Sequence, residues 1–133
     1  MTWRSPTADD RRIAWLWALC AVLSVALRPI WLAAVPLLPA CPWHRLTGVA
    51  CPGCGTTRAI SRLLRLDLAG GLAMNPLAFA AAVVFLVVGA IAPAWLAMGG
   101  RVPEPAPGPQ WRWGIAGAAG VGLNWAWLIA TGV

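Results

Sequence analysis

Three long apolar runs constrain this chain more than any other feature. They cover about residues 13–35, 76–98 and 113–133, and each is long enough for a helix that crosses a bilayer. A hydrocarbon core of about 30 Å calls for roughly 20 helical residues. Backbone amides left unpaired in lipid are so costly that an apolar run of this length is expected to be helical. Composition agrees: of 133 residues 60% are hydrophobic and 11% charged, where a soluble domain carries about 25% charge. The expectation is an all-α integral membrane protein of one domain, residues 1–133, with three transmembrane helices.

Tryptophans bracket these runs. Trp15, Trp17 and Trp31 flank the first, Trp95 closes the second, and Trp111, Trp113, Trp125 and Trp127 bracket the third, as an interfacial aromatic belt would. Arg28 interrupts the first run within one turn of Trp31, so its guanidinium can snorkel to the interface. Cys20 sits mid-run and reads as a small packing residue. Asn75-Pro76 opens the second run with a cap residue and a proline at the first helical position. In the third, Gly114, Ala118 and Gly122 recur every four residues, a flat face on which another helix can settle. That pattern predicts self-association or a membrane-protein partner. Asn124, the one strongly polar side chain there, is expected to bond to a neighbouring helix or to face the polar loop. The proline-rich connector Val102–Pro109 is expected to be extended and solvated.

The net charge of +6 comes from ten arginines dispersed between the apolar runs, with no lysine. Scattered charge of this kind belongs to loops and interfaces, so the expected partner is the lipid bilayer and not nucleic acid. The arginine-only basicity and the Ala, Pro, Gly and Trp bias fit a GC-rich bacterial genome. With the amino end in the cytoplasm, Arg4, Arg11, Arg12, Arg101 and Arg112 lie inside. Arg45, Arg58, Arg62 and Arg65, with a snorkelled Arg28, then lie outside. The count is tied. Placing the Arg58/Arg62/Arg65 stripe in the headgroup layer tips it toward a cytoplasmic amino end in the inner membrane. The loop would then face the compartment where disulfides persist.

Chemistry concentrates in that loop, residues 36–75. Cys41, His44, Cys51 and Cys54 fall within fourteen residues, the last two in Cys51-Pro52-Gly53-Cys54-Gly55. A short amphipathic helix is predicted over Thr57–Leu66, with Arg58, Arg62 and Arg65 on one stripe and Ala59, Ile60, Leu63 and Leu64 opposite. Asp67 is predicted to cap a further short helix, Leu68–Met74, weakened by Gly70-Gly71.

Three chemistries remain open for the loop. In thiol–disulfide exchange, Cys54 would be the thiolate, favoured by the helix that follows and by Arg58, with Cys51 resolving. As a metal site, Cys41, His44, Cys51 and Cys54 offer a Cys3His set suited to zinc. As a structural staple, a disulfide or thiol cluster would pin the loop to the span ends. Gly48, Gly53 and Gly55 would then supply turns, Thr56 or Thr57 a helix cap, and the arginines would bind headgroups or a partner protein. The leading expectation is a structural, interaction or assembly module and not an enzyme.

The run Cys41-Pro42-Trp43-His44-Arg45-Leu46-Thr47-Gly48-Val49-Ala50-Cys51-Pro52-Gly53-Cys54-Gly55-Thr56-Thr57-Arg58-Ala59, continuing through Asp67 to Asn75-Pro76-Leu77, resembles the signature of a family of small bacterial membrane proteins. It is the family catalogued as domain of unknown function 2752. The resemblance implies three spans, a basic second loop, a cytoplasmic amino end and an outward cysteine loop. By position its signature residues are Cys41, Thr47, Gly48, Cys51, Pro52, Cys54, Gly55, Thr57, Arg58, Asp67 and Asn75. His44 is outside that pattern, and Leu66 stands where members tend to have glycine. The family name brings no biochemical activity.

Overall fold

The computed structural model describes residues 2–39, 41–104, 109 and 111–132. Among the described residues seven α-helices follow in chain order: α1 (Ala8–Ala26), α2 (Arg28–Ala34), α3 (Pro42–Thr47), α4 (Thr56–Leu64), α5 (Leu68–Met74), α6 (Pro76–Ala97) and α7 (Trp111–Thr131). Two three-residue strands accompany them, β1 (Thr2–Arg4) and β2 (Val102–Glu104). The all-α expectation is corrected to that extent. Among the described residues two helices, α6 and α7, are long and apolar enough to cross a membrane, and there are up to three crossings if Ala8–Ala26 and the bent stretch Arg28–Thr47 act as one span. At 1.5 Å per residue the 22 residues of α6 extend about 33 Å, a bilayer's thickness. Large apolar side chains stay exposed along them, among them Val22, Val84, Ile91, Ile115, Leu123 and Ile129. Exposed apolar surface on this scale marks contact with lipid or protein.

The first apolar run is not one helix. It breaks at Leu27, α2 begins at Arg28 with Pro29 in its first turn, and a 3-10 turn follows over Val35–Leu37. Proline has no amide proton to give to the preceding turn, and its ring crowds the carbonyl there. α1 also starts earlier than the polar leader suggests, at Ala8. Thr7 and Asp10 form a reciprocal cap: Asp10 N donates to Thr7 Oγ1 at 3.3 Å and Thr7 N donates to Asp10 Oδ2 at 2.7 Å. This satisfies first-turn amides that the helix cannot.

The chain forms two compact units, Met1–Ala26 with Val83–Gln110 and Leu27–Ala82 with Trp111–Val133. In the first, β1 and β2 pair antiparallel, with Arg4 opposite Val102. Arg4 joins both ends, its guanidinium forked on Asp10 at 2.5 and 2.8 Å and its Nε 3.2 Å from Glu104. Part of the connector read as solvated is thus strand; residues 105–108 lie outside the described residues. Deeper in this unit Gly89 of α6 meets α1. A Cβ added at Gly89 would stand 2.7 Å from Ala21 Cβ, and Trp17 Nε1 donates to Phe85 O at 3.0 Å.

In the second unit, α4 ends in a closed motif. Leu66 N donates to Leu63 O and Asp67 N to Arg62 O, both at 2.9 Å, with Leu66 at φ +64°. This is the Schellman arrangement, whose left-handed residue is usually glycine. Leu66, 79% exposed, gains too little contact to offset the clash of its Cβ with the following carbonyl. Leu66→Gly is therefore expected to raise stability in detergent by about 1 kcal/mol, after allowance for the extra freedom of glycine in the unfolded chain. A melting temperature unchanged or lowered by this replacement would contradict the account.

Gly70 and Gly71, read as weakening α5, stand where a Cβ would crowd its neighbours. A Cβ on Gly70 would overlap the Asp67 carboxylate and the Arg62 guanidinium; one on Gly71 would stand 2.8 Å from the Phe79 ring and 3.2 Å from Ala59 O. Asp67 caps α5, its Oδ1 accepting from Gly70 N at 2.9 Å, while its Oδ2 pairs with Arg62 at 3.1 Å. Gly114 and Gly122, by contrast, have nothing within 4 Å of an added Cβ. At these positions the small-residue face of α7 meets no other part of this chain among the described residues.

Candidate functional site

Cys41 precedes Pro42 at the start of α3, a helix that ends at Gly48, φ +71°. Thr47 Oγ1 helps to stop it, donating to Trp43 O at 2.8 Å and accepting from Val49 N at 3.2 Å. The chain then returns through Ala50 to the tight turn Cys51–Cys54, closed by Cys54 N to Cys51 O at 2.9 Å. Gly55 follows at φ +77° as the cap position of α4, where only glycine sits without strain. Neither Thr56 nor Thr57 caps α4 by its side chain, which corrects that expectation. Thr57 serves instead through its carbonyl, which accepts from Ser61 Oγ at 2.7 Å.

These turns bring three sulfurs together. Cys41 and Cys51 Sγ are 3.6 Å apart, Cys51 and Cys54 Sγ 3.1 Å, and all three lie within 4.8 Å of one another. All are free thiols. His44 is exposed on α3 and is not in this group, and Cys20 is exposed on α1. Cys54 is buried and packs with Ala50 and Leu128, while Cys41 and Cys51 are half-buried against that core.

Burial pushes the Cys54 thiol up to about 11, with the neighbouring Cys51 thiol adding to the effect. Cys41 moves the other way, lowered first by the backbone N–H of His44 and then by Cys51. Desolvation thus works on Cys54 against any pull of α4, while the N–H groups around Cys41 favour its thiolate. On a Cys20→Ser background, alkylation of Cys41 should therefore level off below the ordinary thiol pKa, and that of Cys54 should still be rising near pH 11. Peptide mapping after iodoacetamide pulses across pH 6–11 would show it. The two groups also act oppositely on stability. Cys41 helps as a thiolate, a contribution lost as pH falls through its folded pKa. Cys54 stays protonated when folded, so its contribution is lost as pH rises past the unfolded value of 9 toward about 11.

Side chains from α2, α7 and the α5–α6 link hold this junction. Asn75, 1% exposed, donates through Nδ2 to Cys54 O at 2.9 Å and to Thr56 Oγ1 at 3.3 Å. Its Oδ1 accepts from Ala78 N at 3.0 Å. Asn124 of α7 reaches the same helix end, Oδ1 accepting from Leu77 N at 3.0 Å. Pro76 has no proton to donate, so these two asparagines satisfy the first amides of α6 between them. Trp125 Nε1 donates to Ala50 O at 2.8 Å and Trp127 Nε1 to Ala73 O at 3.2 Å. Trp31 Nε1 reaches Ser61 Oγ at 3.2 Å. Leu128, fully buried against the thiols, went unnoticed in the sequence; its spacing of four from Asn124 was the available signal. Ser61 was likewise missed, since a serine breaks the apolar pattern of α4. Arg58, Arg62 and Arg65 form the exposed side of that helix, and Arg58 and Arg65 have no ion pair among the described residues.

A separate groove of about 250 Å³ lies in the first unit, lined by Ile13, Trp17, Val88, Trp95 and Leu96 among others, with no cysteine.

The chain is thus mostly helical, with two or three helices able to cross a membrane and a thiol junction built where α4, α6 and α7 converge. Residues 41–89 match the model of the family described as "Protein of unknown function (DUF2752)". This is the family whose signature the loop resembles, and the segment contains the junction apart from Trp31 and the side chains of α7. No curated protein and no solved structure gives a significant match.

Proposed function

We propose that this protein is a three-span bacterial inner-membrane protein whose outward thiol loop is a structural and interaction platform. The observation that carries the reading is the bonding of the loop itself. Asn75, Asn124 and Trp125 join the backbone of the Cys51–Cys54 turn, the α6 end and Ala50. The cysteines thereby become part of a load path between helices and not the floor of a substrate cleft. Two pairings support the topology. β1–β2 ties the leader to the α6–α7 connector, and Asn124, Trp125 and Leu128 tie the carboxyl half of α7 to the loop. Three crossings satisfy both. The cytoplasmic amino end rests on the basic leader and connector.

Thiol exchange is the weaker reading. Attack on a disulfide sulfur proceeds along a nearly straight line of three sulfurs. Here the two short separations and the 4.8 Å limit confine the angle at Cys51 to about a right angle or less, which disfavours resolution of a Cys51–Cys54 disulfide by Cys41. The partners in this reading are lipid and a membrane protein or second copy that covers the open Gly114/Ala118/Gly122 face.

The test combines topology with stability. A membrane-impermeant maleimide applied to intact, reduced cells should label Cys41 and Cys51 but not Cys20. Cys41→Ser, Cys51→Ser and Cys54→Ser should each lower melting temperature and membrane accumulation, and pairs of them should be no worse than the worst single. Labelling only after permeabilisation would overturn the topology. Three stable variants, one holding a trapped mixed disulfide, would overturn the structural role.

A further inference from the structure

We propose that Cys41, Cys51 and Cys54 bind one thiophilic, closed-shell divalent cation of the zinc class, through three thiolates and without His44. The inference rests on the structural reading of the loop and names what the junction holds.

The three sulfurs converge. A triangle with sides of 3.6 and 3.1 Å and no side above 4.8 Å lets one ion approach every corner to about 2.3 Å, the length of a zinc–thiolate bond, once the Cys51–Cys54 pair opens toward the roughly 3.8 Å of a tetrahedral site. A disulfide takes two sulfurs and strands the third against the Ala50–Leu128 contact, whereas a cation engages all three.

Backbone donors surround the sulfurs. Cys51 N–H donates to Cys54 Sγ at 3.1 Å, and the backbone N–H groups of His44 and Trp43 are directed at Cys41. Such N–H···S bonds disperse thiolate charge and fix the ligands, as outer-shell partners of metal sites do. Leu128 and Ala50 wall one side of the cluster, limiting water there. On binding, three S–H protons pass to solvent as three S–metal bonds form. The neutral trio plus a dication becomes a site of charge −1, with a fourth position left for water or a partner's donor. Held this way, thiols 3.1 Å apart would survive in an oxidising compartment, where a bare pair at that distance would be oxidised.

The test uses the full chain in detergent, stripped with chelator, reduced, and titrated with Co2+ and then Zn2+. One equivalent of Co2+ should produce near-ultraviolet thiolate-to-metal absorption that Zn2+ abolishes, with proton release on Zn2+ addition. Cys41→Ser, Cys51→Ser and Cys54→Ser should each lower Co2+ affinity by more than about a hundredfold. Cys20→Ser and His44→Ala should leave the spectrum unchanged. The wild-type titration and its proton release stand even if a serine variant fails to fold. No charge-transfer band in the wild type, a band that persists in any of the three serine variants, or its loss in His44→Ala would overturn the proposal. A missing band alongside destabilised serine variants would remove the metal and leave the structural junction intact, so the two failures are distinguishable.

Discussion

Asn75→Ala is expected to destabilise the protein by about 3 kcal/mol, because three hydrogen bonds of one buried side chain disappear together. The groups left behind are Cys54 O, Thr56 Oγ1 and Ala78 N. At 1% exposure, water cannot replace the lost amide without opening the junction. The consequence reaches beyond α6, since Cys54 O belongs to the turn that presents two of the three sulfurs. Labelling of Cys54 by a small alkylating agent near neutral pH should therefore quicken at least tenfold in this variant. Asn75→Asp separates the roles, because it keeps the acceptor for Ala78 N and loses the donor to Cys54 O. It should protect the start of α6 from amide exchange while still exposing the thiol. A variant that melts within a degree of the parent, with unaltered Cys54 reactivity, would refute the junction as described.

Gly89→Ala is the second large expected effect, and its sign is informative. In an isolated helix alanine is favoured over glycine by about 1 kcal/mol. Here the new Cβ falls 2.7 Å from Ala21 Cβ and 3.2 Å from Trp17 Cδ1. Neither helix can rotate a Cβ away, so α1 and α6 must separate locally, straining the bond from Trp17 to Phe85 O. A net loss of about 2 kcal/mol is expected, and Gly89→Val should lose more. The decisive measurement is the double variant Ala21→Gly with Gly89→Ala, which exchanges the two sides of the contact and should recover most of the loss. Additive losses in that pair, measured by thermal unfolding in detergent, would show that the close approach does not hold the helices.

Much of this protein is legible in its local sequence patterns. A 22-residue apolar run opened by Asn75-Pro76 has one reasonable conformation, and α6 spans Pro76–Ala97. Arginines at positions 58, 62 and 65 share a helical face, and α4 buries Ala59 and Leu63 on the other side while exposing them. Asp67 before Leu68 is a local cap, needing only its own next turn to form. Periodicity and capping are short-range matters, settled within a few residues of chain.

What the sequence could not determine depends on long-range contact. The tryptophans were legible as a membrane belt, but five of their indole N–H groups bond to specific acceptors, from Trp17 to Phe85 O to Trp127 to Ala73 O. The best-spaced small residues, Gly114 and Gly122, face open space, whereas the solitary Gly89 takes the helix contact. Spacing shows that a face is flat and cannot show what meets it. Among the thiols, proximity to a helix start favoured Cys54 as the ionised one, until burial against Leu128, 74 residues away in sequence, placed it in an apolar setting. The sequence by itself determined the helices, the caps and the candidate ligands. Tertiary structure alone decided that three thiols meet and the histidine stays apart, because desolvation and convergence belong to elements brought together from distant parts of the chain.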